Sequence, residues 1–112
     1  MKESDIQKKI LNYLRKAGWY VLRINSGMQL KNYVTKGGSR KRYAIRMAPK
    51  GTPDVIACAP DGCFVAIEVK KPGGVVSVAQ EEKIGQINNI GGLALVSDSL
   101  DDLKKQLTTY GY

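Results

Sequence analysis

The chain has no histidine and only two cysteines among its 112 residues. Zinc sites in proteins are built mainly from histidine and cysteine, so a conventional zinc centre is excluded. Hydrolases that use a Ser-His-Asp triad or a Cys-His pair are excluded as well, because both mechanisms need an imidazole as the general base. Any catalysis by this chain therefore depends on carboxylates and lysine.

Long apolar runs are also missing. The chain starts with charged and polar residues and has no apolar segment typical of a signal peptide, and no stretch is long enough to span a membrane. Cys58 and Cys63 lie in apolar sequence near one turn; two cysteines do not make a disulfide framework, so we expect reduced, buried thiols. We expect a cytoplasmic protein with no membrane partner and no small-molecule cofactor.

Acidic residues are absent from residues 31–50, which contain seven basic ones. The whole chain has 18 Lys and Arg against 10 Asp and Glu, a formal charge of +8 that suits a polyanion ligand. The segment alternates weakly on both sides of a Lys-Gly-Gly-Ser sequence, which predicts a two-stranded arm or a long loop. Contact with DNA phosphates is our interpretation, and an ordinary solvated surface is the alternative. The candidate DNA-binding residues are Arg40, Lys41, Arg42 and Arg46, with Asn25 nearer the other motifs, where it contacts DNA or simply builds a turn.

Two apolar, β-rich segments, residues 54–59 and 63–70, flank a Pro-Asp-Gly sequence with the chemistry of a tight turn. If those three residues form the loop, counting back along both strands puts Asp54 directly opposite Glu68. Lys70 projects on the same side as Glu68, because residues two apart share a strand face. A bulge at the turn glycine would shift this register by one residue.

Opposed carboxylates destabilise a sheet, and a cation between them removes the repulsion. Oxygen ligands suit Mg²⁺, with Mn²⁺ as a substitute, and the lysine one step along would steady negative charge on a phosphate. The alternative is an ordinary solvated ion pair between Glu68 and Lys70 on an edge strand. The metal site is favoured because both faces of that strand are largely apolar, which predicts a central strand where uncompensated charge is costly.

At Pro53-Asp54 and Glu68-Val69-Lys70 the chain resembles the PD-(D/E)XK nucleases. Within that superfamily it is similar to the virus-type replication-repair nuclease (VRR-NUC) domain, in particular the small stand-alone versions found in phages. The resemblance covers nearly the whole chain in five blocks: Glu3-Ser-Asp-Ile-Gln7, Arg23-Ile-Asn-Ser-Gly27, Gly51-Thr-Pro-Asp54, Glu68-Val-Lys70 and Ser77-Val-Ala-Gln80.

The resemblance implies a Mg²⁺-dependent endonuclease that hydrolyses phosphodiester bonds. Asp54, Glu68 and the Val69 carbonyl would hold the metal, and Lys70 would position or activate water and stabilise the pentacovalent phosphate. Branched DNA, such as a four-way (Holliday) junction in DNA repair, is the implied substrate. Symmetrical cleavage of a junction needs two active sites, so we expect a homodimer. The alternatives are a catalytically silent DNA-binding module and a nuclease subunit of a larger repair or helicase assembly.

Two further residues have both structural and functional interpretations. Glu3 is an acid favourably placed at a helix N-terminus, while the resemblance implies a role in or near the metal site, for which Asp5 is the fallback. Gln80 has capping-box spacing from Ser77, while the resemblance makes it an active-site residue, and we expect these two roles to compete for one side chain.

The order of elements predicts a single α/β domain over residues 1–112. Ser4 and Gln7 have capping-box spacing at the start of the first helix, and Ile84 and Ile87 are expected to reach the core from a later one. A hairpin demands antiparallel strands and a strand-helix-strand unit demands parallel ones, so the sheet is mixed. The resemblance implies a restriction-endonuclease-like αβββαβ core with helices flanking this sheet.

Overall fold

The computed structural model describes the backbone of residues 1–24, 28–46 and 48–112, and the side chains of these residues except 28, 29, 45 and 46. Three helices and six strands follow one another in these described residues. They are α1 (Glu3–Lys16), β1 (Tyr20–Arg23), β2 (Met28–Val34), β3 (Arg40–Arg46), β4 (Val55–Cys58), β5 (Phe64–Val69), α2 (Val78–Asn89), β6 (Leu93–Ser97) and α3 (Leu100–Thr109). No helix in this part of the chain is long and apolar enough to cross a membrane.

Four of the strands form one mixed sheet in the order β1-β4-β5-β6. β4 is antiparallel to both of its neighbours, β1 and β5, whereas β5 and β6 are parallel and are joined through α2. This arrangement confirms the predicted αβββαβ core. β2 and β3 form a separate antiparallel sheet, so the basic segment is a two-stranded arm rather than a loop.

The hydrophobic core lies between one face of the four-stranded sheet and helices α1 and α3. Apolar residues recur at helical spacing along α1, and alternate residues of each strand meet them because side chains of a strand alternate between its faces. The fully or almost fully buried members are Ile6, Ile10, Leu14, Val55, Ala57, Ala59, Val65, Ile67, Val69, Leu103 and Leu107.

Helix α2 covers only part of the opposite face. It contacts β5 and β6, and none of its residues is buried. The expectation that Ile84 and Ile87 reach the core is therefore wrong: both are half-buried, because the sheet itself separates α2 from the core. Towards β1 this face stays open, which leaves Tyr20 and Leu22 exposed, and Cys58 as well. Both cysteines are free, but neither is buried as expected, since Cys58 is exposed and Cys63 is half-buried.

The two predicted capping boxes have different outcomes. At α2 the Ser77 hydroxyl accepts from the Gln80 amide N–H, and Gln80 Oε1 accepts from the Ser77 N–H at 2.8 Å, as predicted. At α1 the prediction is wrong, since the helix already includes Glu3 and its N-cap is Lys2, with no side-chain cap. Gln7 is buried towards the interior of the domain instead of returning to the helix start.

Candidate active site

The hairpin of β4 and β5 brings the two predicted carboxylates together. Val55 pairs with Ile67 and Cys58 with Phe64, so continuing this register by one residue puts Asp54 opposite Glu68. The predicted register is thereby confirmed, without a bulge. Both residues alternate with core-facing neighbours, so their side chains project from the sheet face on which α2 lies.

Glu68 is 2% exposed, and its Oε2 atom has no hydrogen-bond partner in the described structure. Burial raises the pKa of Glu68 to about 8, and the charge of Asp54 adds to this increase. Burial also raises the pKa of Asp54, although the Val69 N–H, which donates to Asp54 Oδ2 at 2.9 Å, partly opposes it. Without a cation the pair therefore holds a proton near neutral pH, and its buried, unsatisfied oxygen fits a site for positive charge.

Lys70 supplies positive charge beside this pair. It follows the last residue of β5, where its backbone N–H donates to the Ser97 carbonyl at 3.0 Å and continues the pairing with β6. Its Nζ lies 3.9 Å from Glu68 Oε1, and its side chain is 15% exposed. Gly74 packs against the aliphatic part of this side chain, leaving no space for a Cβ atom without displacement of its neighbours. The ammonium is thus held at the edge of the site with access to an incoming ligand.

Gln80 connects helix α2 to the carboxylate pair. Its Oε1 atom accepts from the Ser77 N–H while its Nε2 atom donates to Glu68 Oε1 at 2.8 Å. The expected competition for this side chain is therefore wrong, because a primary amide has an acceptor and a donor, so Gln80 completes the cap and binds Glu68 at the same time. One oxygen of Glu68 is fixed by this bond, and the other is the unpartnered one.

Gly51 is a residue whose role the sequence motif did not reveal. Its φ is +85°, and a Cβ atom there would collide with the backbone carbonyl of Ala79 in the first turn of α2. Positive φ is readily adopted only by glycine. The loop leading to Asp54 is therefore seated on the same helical turn that carries Gln80. The available signal in the sequence was a glycine three residues before the motif aspartate. Its contact with Ala79 could not be predicted from that signal, because Ala79 lies 28 residues further along the chain.

Glu3 lies near the Asp54–Glu68 pair but does not complete a three-carboxylate group with it. Its charge contributes to the raised pKa values of Asp54 and Glu68, and its Oε1 accepts from the Lys71 N–H at 3.4 Å. Among the described residues, no group of three His, Cys, Asp or Glu side chains is placed to hold one metal ion. A cation here would thus have two carboxylates as its protein side-chain ligands.

Three of the predicted DNA-binding residues have described side chains, and all three lie in the arm formed by β2 and β3. Arg40 and Arg42 are exposed on one face of the arm, and Lys41 is exposed on the other. Arg46 is paired with Met28 in the arm, but its side chain lies outside the described residues, as does the whole of Asn25. The arm is a sheet of its own, so Arg40, Lys41 and Arg42 belong to a different sheet from the one that carries Asp54 and Glu68.

Comparison with known protein families identifies the family to which the chain belongs. The family model of the VRR-NUC domain matches residues 1–100. The chain belongs to the VRR-NUC domain family. A solved structure described as a VRR-NUC domain is similar in fold, with a TM-score of 0.68 and 19% identity, over 98% of this chain and 97% of that one. A comparison with curated proteins finds no match. Family membership gives this VRR-NUC domain a nuclease-type function with DNA as its substrate.

Proposed function

We propose that this VRR-NUC domain is a metal-dependent endodeoxyribonuclease whose reaction takes place at Asp54 and Glu68. The observation that carries the proposal is the pair of opposed carboxylates, one of them buried with an oxygen that has no hydrogen-bond partner among the described residues. Burying such a pair is costly unless a cation compensates it. A structural role alone gives no reason to keep this arrangement in a small domain.

The donor set fits Mg²⁺, and Mn²⁺ as its substitute. Asp54 and Glu68 would hold the ion through carboxylate oxygens, with the Val69 carbonyl as a further oxygen and Glu3 in a supporting position. Mg²⁺ is commonly bound through one or two carboxylates and keeps several waters, so two acidic side chains suffice. When bound, the metal would polarise a phosphoryl oxygen and lower the pKa of water.

The chain's own residues orient and stabilise the reacting groups. Lys70 would stabilise the negative charge that builds up on the phosphate and position the attacking water, because its ammonium lies at the edge of the site. Gln80 would fix the orientation of the Glu68 carboxylate through one oxygen and leave the other for the metal. Gly51 would set the position of the loop that presents Asp54.

A cleavage assay tests the proposal. Linear, nicked, flap and four-way-junction DNAs are incubated with Mg²⁺ or with EDTA, using wild type, Asp54→Asn and Glu68→Gln. Asp98→Asn and Glu82→Gln are matched controls, since both acids are exposed and outside the site. We expect Mg²⁺-dependent cleavage that both site variants abolish and both controls retain. Cleavage by Asp54→Asn at the wild-type rate would refute the assignment, and binding without cleavage of any DNA would support a catalytically silent module.

We further propose that the substrate is branched DNA and that the protein acts as a homodimer. The sheet face that α2 leaves open has exposed Tyr20, Leu22 and Phe64. Outside the Asp54–Glu68 site no charged residue of β1, β4 or β5 shares this face, because Arg23 at the end of β1 alternates with Leu22 and belongs to the opposite face. A surface without cations suits a second copy of the chain better than DNA, and apolar patches of this kind are typical of interaction sites. The patch continues into the row that contains Asp54 and Glu68, so a dimer through it would bring two active sites near one DNA.

Light scattering at micromolar concentration tests the dimer. We expect a dimer for wild type and a monomer for Leu22→Glu, which puts a charge into the centre of the apolar face. Tyr110→Glu, an equally drastic change at an exposed residue after α3, should remain dimeric. A monomeric wild type that still cuts junctions into paired nicks would contradict the proposed assembly.

A further inference from the structure

The arm presents two chemically different faces. Arg40 lies opposite Val34 and Arg42 opposite Asn32 in the pairing of β2 with β3. Directly opposed residues share a face, and so do residues two apart in one strand, so these four side chains lie together. We call this the arginine face. Its guanidinium groups are suited to phosphate oxygens, which they can bind with two hydrogen bonds.

The other face combines aromatic rings with lysines. Lys31 lies opposite Tyr43 and Tyr33 opposite Lys41, so all four side chains share what we call the tyrosine face. The two rings meet edge to face, with centroids 5.6 Å apart and planes at 66°. No acidic residue occurs in either strand.

The tyrosine pair leaves ring surface free. Tyr33 is 48% exposed and Tyr43 is 49% exposed, although they contact each other. A cross-strand aromatic pair stabilises a hairpin, and an isolated two-stranded hairpin needs such help. That role explains the contact between the rings, but not why the remaining ring surface is flanked by a lysine on each strand.

Exposed aromatic rings flanked by cations fit one class of DNA better than another. In a duplex the bases are stacked on each other and offer only their edges in the grooves. Unpaired nucleotides offer the flat face of the base, which stacks on an aromatic side chain, while nearby lysines hold the backbone phosphates. We propose that the tyrosine face binds unpaired nucleotides of the DNA substrate, while the arginine face contacts duplex phosphates. This inference rests on the proposed function and names the DNA feature that the arm selects.

Binding of unpaired nucleotides by the tyrosine face would rank the possible DNA substrates. Flaps, gaps and junctions with unpaired nucleotides at the branch point offer free base faces, whereas a fully paired linear duplex offers none. The enzyme would therefore prefer DNA with unpaired nucleotides through the arm, independently of the chemistry at Asp54 and Glu68.

Binding measurements in Ca²⁺, which we expect to block cleavage, test this inference. Fluorescence anisotropy gives the affinity of each variant for a single-stranded oligo(dT), a blunt duplex and the same duplex with an unpaired dT flap. The test variant is Tyr33→Val with Tyr43→Val, because valine preserves strand propensity and removes the rings. The matched control is Tyr33→Phe with Tyr43→Phe, which keeps both rings. Arg40→Ala with Arg42→Ala tests the opposite face.

We expect the valine variant to bind oligo(dT) and the flap at least about tenfold more weakly, since stacking of one base changes affinity by roughly 5- to 150-fold. Its affinity for the blunt duplex should stay within about twofold, and the phenylalanine variant should match wild type. The arginine variant should weaken duplex binding and flatten the slope of log K against log salt by about 0.9 for each lost phosphate contact.

An equal loss on all three DNAs in the valine variant would mean that the tyrosines only stabilise the hairpin, and no loss on any would mean that the face does not contact DNA. Either result overturns the inference. This outcome can be told apart from failure of the proposed chemistry. A protein that never cuts DNA but shows the selective loss would support the role of the tyrosine face and refute the proposed nuclease activity. A protein that cuts DNA but shows no selective loss would support the nuclease activity and refute the role of the tyrosine face.

Discussion

Glu68→Gln should stabilise the metal-free protein at pH 8 while abolishing cleavage. The wild-type carboxylate is buried opposite Asp54, and burial raises its pKa to about 8 from an ordinary value of 4.5. Glutamine removes the charge but keeps an oxygen that accepts from Gln80, and its NH₂ group can donate to Asp54. A residue needed for function is thus expected to reduce the stability of the fold.

The sign of the pH dependence follows from the direction of the pKa shift. Between about pH 4.5 and pH 8 the unfolded chain has lost the Glu68 proton while the folded chain keeps it, so wild-type stability falls as the pH rises through this window. At about 1.4 kcal/mol per pKa unit the upper limit is about 4 to 5 kcal/mol. Local relaxation and water penetration reduce such penalties, so we expect Glu68→Gln to gain about 2 to 3 kcal/mol at pH 8.

Urea denaturation in EDTA at pH 5 and pH 8 measures this effect. The gain should be largely absent at pH 5, where the folded carboxyl is neutral in wild type. Glu82→Gln, a change of the same chemistry at an exposed position of α2, should alter the free energy of unfolding by less than about 0.5 kcal/mol at either pH. An equal gain at both pH values, or no gain at pH 8, would refute the reasoning about buried charge.

Four further substitutions separate the roles of neighbouring residues. Lys70→Ala should reduce cleavage at least about 100-fold while Mn²⁺ affinity stays equal or rises, as measured by single-turnover cleavage and calorimetry; a loss of metal affinity would contradict its role. Gly51→Ala should lower the free energy of unfolding by about 2 kcal/mol or more and should also lower cleavage, because the alanine would need a positive φ and would collide with the first turn of α2. Unchanged thermal unfolding would contradict this. Ser77→Ala should lower the free energy of unfolding by about 1 kcal/mol and retain cleavage, because it removes only the helix cap. Gln80→Ala should lower both stability and cleavage, because it also removes the bond to Glu68. Equal cleavage by the two variants would show that the bond to Glu68 is dispensable.

The sequence was sufficient to predict the carboxylate pair because its geometry is local. A short turn fixes the register of a hairpin, so counting along the strands placed Asp54 opposite Glu68, as the structure has it. The mixed sheet followed from the same kind of reasoning about connections. The alternation of the basic segment was likewise enough to suggest a two-stranded arm.

What the sequence could not predict depends on contacts between distant elements. How deeply the side chains of α2 are buried depends on which sheet face the helix covers. The sequence pattern of its apolar residues is the same whether they pack against the core or against the opposite face. The capping-box spacing at Ser4 was misleading because the helix begins earlier and Gln7 is used for packing. The double role of Gln80 needs the position of Glu68, twelve residues earlier, relative to the first turn of the helix.

The division of the arm into two faces also emerged only from the paired register. In the sequence Arg40, Lys41 and Arg42 form one basic cluster, which suggests a single DNA-binding surface. Pairing with β2 puts the lysine with the tyrosines and the two arginines on the reverse side. Adjacent residues of a strand point in opposite directions, so a cluster in sequence is not a cluster in space.

Calorimetric titration of Mn²⁺ into wild type, Asp54→Asn and Lys70→Ala tests the central claim most directly, because it measures metal binding without DNA or turnover. The claim that Asp54 and Glu68 form the metal site predicts saturable binding to wild type that is lost in Asp54→Asn and retained in Lys70→Ala. Binding to Asp54→Asn with wild-type affinity, or no binding to wild type in the absence of DNA, would contradict it.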